Sequence, residues 1–372
     1  MIYLDYQATT PVAPEVAEAM QPWIQEKFAN PHSPSRSGRE AAAAIEVARK
    51  QVEQAIGLSG GSVAFTGSAT EAINWALKGT MEKAAPSRRR IVTVTTEHAA
   101  VLDTCEWLEG QGYAVSRLTV NSDGVVDLKD VRATLDETVA IVSAMLVNNE
   151  IGVIQPVAEV ARLAHEAGAL MLCDAVQGFG RLNIPDGPDL VAVSAHKIHG
   201  PKAIGALWMR ADAGPAPFLH GGGQELGMRS GTLSPTLCVG FGAAAKLAVE
   251  RREADGAHAE ALCDAALGEL SLGWTVNGSI EQRYRGNLNI RRDGLDAGRL
   301  ISDLRDIAFS LGSACASGSG RPSHVLRAIG LTDRQARSSI RLGFGRYTTM
   351  DELIDAVRRI DNAARDQQGL AA

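Results

Sequence analysis

Lys197 is the side chain best placed for covalent chemistry. It follows Ser194-Ala195-His196 at the end of the apolar run Leu190–Ser194, and Gly200-Pro201 comes next. A lysine desolvated beyond a buried strand favours its neutral amine, which is a nucleophile. Such an amine forms a Schiff base with an aldehyde, and pyridoxal phosphate is an aldehyde cofactor held in this way. That cofactor also needs an acid at its ring nitrogen, an anchor for its phosphate and a group over its ring. Asp174, 23 residues upstream after Leu170–Cys173, suits the ring nitrogen. An Asp after a strand could equally be a helix N-cap. Thr66-Gly67-Ser68-Ala69-Thr70-Glu71 opens a helical pattern with small residues and hydroxyls. Helix-start amides there could hold a phosphate, or the segment could be only an N-cap with a capping box. Neither a Gly-Lys-Ser/Thr nucleotide loop nor a GxGxxG dinucleotide fingerprint is present.

Two alternating periods must position these residues. Short apolar runs at Ile91–Thr95, Val139–Leu146, Leu170–Cys173, Leu190–Ser194 and Gly205–Met209 read as strands buried on both faces. Helical patterns lie between them at Ala69–Lys78, Ala99–Gln111 and Val157–Ala167, and two amphipathic segments, Pro14–Lys27 and Gly38–Ile56, precede them. This alternation predicts an α/β fold with a mostly parallel central sheet covered by helices. Ligands in such a sheet bind at the carboxyl ends of strands. Glu97-His98, Asn148-Asn149-Glu150, Asp174–Gln177 and Ser194–Lys197 all fall at such ends. Beyond Ala243 a charged helical stretch, Ala244–Ala266, leads to strands at Trp274–Asn277 and Asn287–Ile290 and a last helix at Met350–Ala364. The expected division is a large domain at 14–255 and a small α+β domain made of 1–13 and 256–372, which carries a loop at 310–322.

Composition narrows the function classes. The 372 residues are 45% hydrophobic and 22% charged, which excludes wholesale disorder and suits two domains. With 37 Lys+Arg against 43 Asp+Glu the net charge is -6, and the one basic cluster is Arg88-Arg89-Arg90. Direct nucleic-acid binding is therefore not expected. No apolar run reaches the roughly 20 residues of a membrane span, and the N-terminus lacks a signal-peptide pattern. The expectation is a cytoplasmic address with no membrane contact. Five cysteines, an odd number with no CxxC pair, argue against a disulfide framework or a metal site. Cys105, Cys173 and Cys263 read as small buried hydrophobes, and Cys238 belongs to no motif.

Seven segments stand in a fixed order: Thr66–Glu71, Thr96-Glu97-His98, Val147–Gly152, Asp174–Gln177, Ser194–Lys197, Arg229-Ser230-Gly231-Thr232 and Gly312-Ser313-Ala314-Cys315. Together they resemble the cysteine desulfurases of the NifS/IscS type, pyridoxal-phosphate enzymes of fold type I and class V aminotransferase-like. The resemblance runs from Tyr3–Pro11 to Ser339–Leu342. It implies that Lys197 carries the cofactor and later moves the substrate Cα proton. Asp174 would pair with the ring nitrogen, Gln177 with the phenolic oxygen, and His98 would stack on the ring. Ala69, Thr70, Ser194 and His196 would bind the phosphate, joined by Thr232 from the partner subunit of a homodimer. Asn149 would touch cofactor and substrate, and Arg341 would hold the substrate carboxylate, a task that suits a planar guanidinium.

Cys315 decides the reaction class that the resemblance implies. Ser310–Arg321 has neither helical nor strand period, and its small residues suit a loop that exposes the thiol. The substrate would be L-cysteine and the products alanine and a persulfide on Cys315. The sulfur would pass to an acceptor protein such as an iron-sulfur scaffold, with a transient iron-sulfur cluster contact at Cys315, or into thiolation pathways. A related lyase or aminotransferase on the same fold is the rival, and selenocysteine would fit the same pocket. A catalytically silent binding platform would lack the lysine or the cysteine, and this chain has both. Two features depart from the family pattern. Gly67-Ser68 reverses the usual order, and the chain stops soon after 364, short of the tail by which longer members dock the scaffold.

Overall fold

A computed structural model describes residues 1–311 and 322–369. The chain begins with strand β1 (Ile2–Tyr3) and helices α1 (Pro14–Gln25) and α2 (Arg36–Ile56). Alternation follows: β2 (Gly61–Thr66), α3 (Ala69–Lys83), β3 (Arg90–Val94), α4 (Ala99–Gly110), β4 (Ala114–Leu118), α5 (Leu128–Thr134), β5 (Val139–Ser143), α6 (Val157–Glu166), β6 (Leu170–Asp174), β7 (Leu190–Ser194) and β8 (Gly205–Arg210). A long helix α7 (Pro235–Glu269) leads to β9 (Trp274–Val276), β10 (Asn287–Arg292), α8 (Ala297–Asp303) and β11 (Ile307–Ala308). The last elements are α9 (His324–Ala328), α10 (Asp333–Arg337), β12 (Ser339–Gly343) and α11 (Met350–Gly369).

The main sheet has seven strands in the order β2-β8-β7-β6-β5-β3-β4. Its β3–β4, β3–β5, β5–β6 and β6–β7 pairings are parallel, whereas β8 runs antiparallel to both β7 and β2. The mostly parallel expectation therefore holds, and the exception has a local reason. A short link from β7 to β8 spans 195–204, too short for a helical crossover, so β8 reverses direction. Every residue of β5 and β7 is buried, as continuous apolar runs between two helical layers require.

A second core gathers around a three-stranded antiparallel sheet, β12-β10-β9, and includes Leu4 from the N-terminus together with Leu288, Ile290, Leu342 and Leu353. The N-terminal segment joins it through β1, which pairs with β11. Helix α7 serves both cores: Cys238, Phe241 and Ala245 pack into the large one, Leu262, Cys263 and Ala266 into the second. It starts nine residues before the stretch expected from Ala244, because Ser234 caps it and Pro235 opens it. Small residues let α7 lie close to α2. A Cβ on Gly242 would come within 2.6 Å of the Ala48 Cα.

Arg88-Arg89-Arg90 is structural. Arg88 donates to the Ala167 carbonyl at the end of α6 and to the Val139 carbonyl, while Arg90 donates to the Thr134 carbonyl at the end of α5. Cys105, Cys173, Cys238 and Cys263 are buried free thiols, and burial pushes the Cys105 and Cys238 thiols up to about 12. Among the described residues, no helix is long and apolar enough to cross a membrane.

Candidate active site

Sheet register builds one end of the site. Thr66 at the end of β2 and Ser194 at the end of β7 both pair with Gly205 at the start of β8. This sets the first turn of α3 beside Ser194. A Cβ on Gly205 would lie 2.6 Å from the Ala69 nitrogen and 2.5 Å from the Ser68 carbonyl carbon, so the approach requires glycine. Ser68 is the N-cap of α3, and its hydroxyl accepts from the Glu71 amide at 3.2 Å. Glu71 reaches one residue further back than a capping box would. It accepts from the Gly67 amide at 2.8 Å and is fixed by Arg229 at 2.7 Å. Ala69 and Thr70, whose amides belong to the unpaired first turn, line the cavity.

The second part of the site follows β6 and β7. Asp174 is 5% exposed at the end of β6, and its Oδ1 accepts from the Val176 amide at 3.0 Å in a tight turn. It is therefore not a helix cap. Burial raises its pKa, and His98, the Val176 amide and Lys197 work against that rise. Lys197 Nζ donates to the carbonyls of Gln7 at 2.5 Å and Ala8 at 2.7 Å. Gln177 also donates to the Gln7 carbonyl, at 3.0 Å, while its Oε1 accepts from Arg181 at 2.9 Å. His196 Nδ1 lies 3.1 Å from Thr9 Oγ1. Burial, then Lys197, Lys202 and Arg181, push its pKa down to about 4, so the ring is neutral near pH 7.

His98 is the N-cap of α4, and its Nδ1 accepts from the Ala100 amide at 3.0 Å. The neutral ring therefore carries its proton on Nε2. Beside it, the fully buried Glu97 accepts from the Met145 amide at 2.6 Å. Burial, reinforced by the Asp174 charge, lifts Glu97 to about 8. Sequence reading included Glu97 in a motif and gave it no role. Glu150 is another buried acid, and unlike Glu97 it borders the cavity: burial raises its pKa and its carboxylate accepts from Ser323 Oγ. His324, also in the wall, bonds the Glu97 carbonyl through Nε2 at 2.9 Å. The sequence signal for this pair was present in Pro322-Ser323-His324, a helix start placed just after the cysteine loop.

The remaining wall comes from the second core. Arg341, on β12, is 1% exposed and donates to the Asn149 carbonyl at 3.0 Å, to Asp5 Oδ1 at 2.7 Å and to Ser310 Oγ at 3.0 Å. Ser310 Oγ in turn donates to Asp5 at 2.6 Å. The Asn149 carbonyl thus orients Arg341, and the Asn149 side chain remains available to a ligand.

One cavity of about 880 Å³ brings Lys197, Asp174, His98, Gln177, Asn149 and Arg341 together, while Glu97, Glu71, Asp5 and Ser310 support it from behind. Its chemistry fits pyridoxal phosphate. A buried carboxylate with one amide partner suits a protonated ring nitrogen. Helix-start amides, the Ser68, Thr70 and Ser194 hydroxyls, His196 and Lys202 suit a phosphate at the other end. Lys197 lies in the same wall, and Arg341 suits a carboxylate. Thr232 is exposed and does not border this chain's own cavity. Cys315 and the rest of 312–321 lie outside the described residues.

Comparisons with known proteins agree with this chemistry. The Aminotransferase class-V family matches residues 2–357. Cysteine desulfurase IscS of Rickettsia rickettsii (strain Iowa) is 43% identical over 368 residues, 96% of this chain and 90% of that protein. Its counterpart in Rickettsia prowazekii (strain Madrid E) is 42% identical over the same spans. Among solved structures, a NifS-like protein superposes with a TM-score of 0.91 at 34% identity, covering 98% of this chain and 99% of its own. The NifS-like protein from Rickettsia africae ESF-5 superposes at 0.87 with 28% identity, covering 97% and 99%. With a buried acid, a lysine and a guanidinium around one cavity and similarity across nearly the whole length, the chain belongs to the class-V aminotransferases, among the cysteine desulfurases.

Proposed function

We propose that the chain takes sulfur from L-cysteine as a pyridoxal-phosphate-dependent desulfurase, releasing L-alanine and leaving a persulfide on Cys315. The observation that carries the reading is the joint placement of Lys197, Asp174 and Arg341 around one cavity. When bound, the cofactor supplies an electron sink for negative charge at the substrate Cα. Asp174 would hold a proton on its ring nitrogen, and Gln177 would donate to its phenolic oxygen. Ala69, Thr70, Ser194 and His196 would bind its phosphate. Arg341 and Asn149 hold the substrate carboxylate, which fixes the Cα within reach of Lys197. Lys197 Nζ takes the Cα proton, and His98 Nε2 can exchange a proton on the ring side.

Cys315 attacks the substrate sulfur as a thiolate. The substrate Cβ–S bond breaks, a new S–S bond forms, and the carbon that loses sulfur takes up a proton to become the methyl group of alanine. The sulfur transferred is oxidised as that carbon is reduced, so no outside reductant enters until the persulfide is discharged. Acceptors would be an iron-sulfur scaffold or a thiolation protein, at a cytoplasmic address. A homodimer would bring Thr232 to the partner's phosphate site. Support for the dimer comes from the loop before Thr232. Leu226 there is 96% exposed at φ 57°, a strained conformation held by the neighbouring Glu225–Arg49 ion pair at 2.7 Å. The same reading divides the chain into a large domain at 14–255 and a small one at 1–13 and 256–372.

The test is alanine and sulfide release from L-cysteine with a thiol reductant, for wild type and Cys315→Ala, both loaded with cofactor. Wild type should make both products and the variant neither. Equal activity in the two would replace the persulfide route with another lyase reaction.

A further inference from the structure

A second, much smaller cavity of about 40 Å³ also has Lys197 in its wall. It lies where α7 meets Gly180-Arg181 and the segment Phe344–Arg346. Three guanidiniums border it, those of Arg181, Arg252 and Arg346, against the carboxylate of Asp255. Arg346 gives Nε and Nη2 to Asp255 at 2.9 and 2.6 Å, and its side chain is only 5% exposed. Its Nη1 is buried with no partner among the described residues. Arg252 donates Nη1 to Asn183, while its Nε is likewise buried without a partner among the described residues. Arg181 donates only to neutral oxygens, the Gln177 carbonyl and Oε1 and the Lys197 carbonyl.

The pattern is a local excess of half-buried positive charge, with two donor atoms buried and left over. A buried donor of a charged group without an acceptor loses its hydration and gains nothing in return. His199, also in the wall, registers the same field. Burial, then Arg346 and Arg181, push its pKa down to about 4. One water needs roughly 10–15 Å³ of such space, so the cavity has room for a monatomic ion with a water and is too small for a metabolite.

We propose that this cavity binds a small monovalent anion of chloride size through Arg346 Nη1–H and Arg252 Nε–H. The anion balances the three guanidiniums. It also stiffens Arg181, which links the cavity to Gln177 and to the Lys197 backbone at 2.9 and 2.8 Å. The ion would thus tie the two cores together next to the active-site lysine without entering the reaction.

The probe is bromide, used on the cofactor-loaded protein. Crystals grown in bromide should show an anomalous peak within hydrogen-bond distance of Arg346 Nη1. In solution, replacing about 0.2 M gluconate by bromide at equal ionic strength should raise the unfolding midpoint by about 2 °C, and Arg252→Gln should abolish that difference. Water density alone at the site, with equal midpoints in the two salts, would overturn the proposal. A peak without any salt-specific midpoint, which is binding at crystal concentration only, would overturn it too.

Discussion

The two walls of the large cavity are built in opposite ways. On the sheet side several functional groups have support from their own neighbourhood: Asp174 from the Val176 amide, His98 from Ala100, Ser68 from Glu71. On the other side the contacts join distant parts of the chain. Arg341 meets Asp5 and Asn149, and Ser310 meets Asp5. The cofactor wall therefore rests mainly on the main sheet, with the N-terminal segment closing on Lys197, Gln177 and His196. The substrate wall exists only once the second core has docked and the N-terminal segment has crossed between them. Damage to the first should appear as lost chemistry, and damage to the second as lost substrate binding.

Substitutions can sharpen that contrast, beginning with the largest effect. Lys197→Ala removes the proton carrier and should lower turnover about 10⁴-fold, measured as alanine release. Asp174→Ala should cost roughly 10²–10³-fold in kcat, because a preorganised charge at the cofactor ring is lost. On the other wall, Arg341→Ala should lower kcat/KM about a hundredfold, as expected for losing charged hydrogen bonds to a carboxylate. Asp5→Asn leaves Arg341 in place and loosens it. Its KM for L-cysteine should rise about tenfold while kcat stays within about twofold. A kcat loss in Asp5→Asn as large as that of Asp174→Ala would erase the distinction between the walls. Gly205→Ala should cost about 1–3 kcal/mol of stability by forcing α3 away from β8, read from urea unfolding, and should weaken cofactor retention.

Buried groups around the site also carry a pH signature in the cofactor-free chain. Glu97 sits at about 8 in the fold against an ordinary 4.5. Between those values the native state holds a proton that the unfolded chain releases, so stability falls as pH rises from 4.5 to 8. His196 and His199 sit at about 4 against 6.5. Their contribution is present above 6.5 and is lost as pH falls towards 4. Urea midpoints should therefore peak near neutrality, and Glu97→Gln should flatten the alkaline side. A variant with an unchanged alkaline slope would show that Glu97 is ionised in the fold.

The same contrast explains what could be read in advance. Strand-end residues on the sheet side were legible because a buried strand is an apolar run, and polar residues just beyond it face the crevice. Ser194, Asp174 and His98 followed from that pattern alone. Arg341 was reachable only through family resemblance, since it lies in a buried strand whose apolar pattern it interrupts. The role of Asp5 and the grip of the Gln7 and Ala8 carbonyls on Lys197 left no trace, because backbone acceptors have no side-chain code. Nor did Gly205 stand out among 38 glycines, as its importance depends on register. The early start of α7 was hidden by the glycines of its first turns, which are weak helix formers kept for close packing.

The most direct test of the account is where the sulfur goes. The cofactor-loaded protein would be given one equivalent of ³⁵S-labelled L-cysteine without reductant, then alkylated, digested and mapped. Label is expected on the peptide containing Cys315, with about one alanine released per label, and none on that position in Cys315→Ala. Label released as free sulfide at the same rate in both proteins would contradict it.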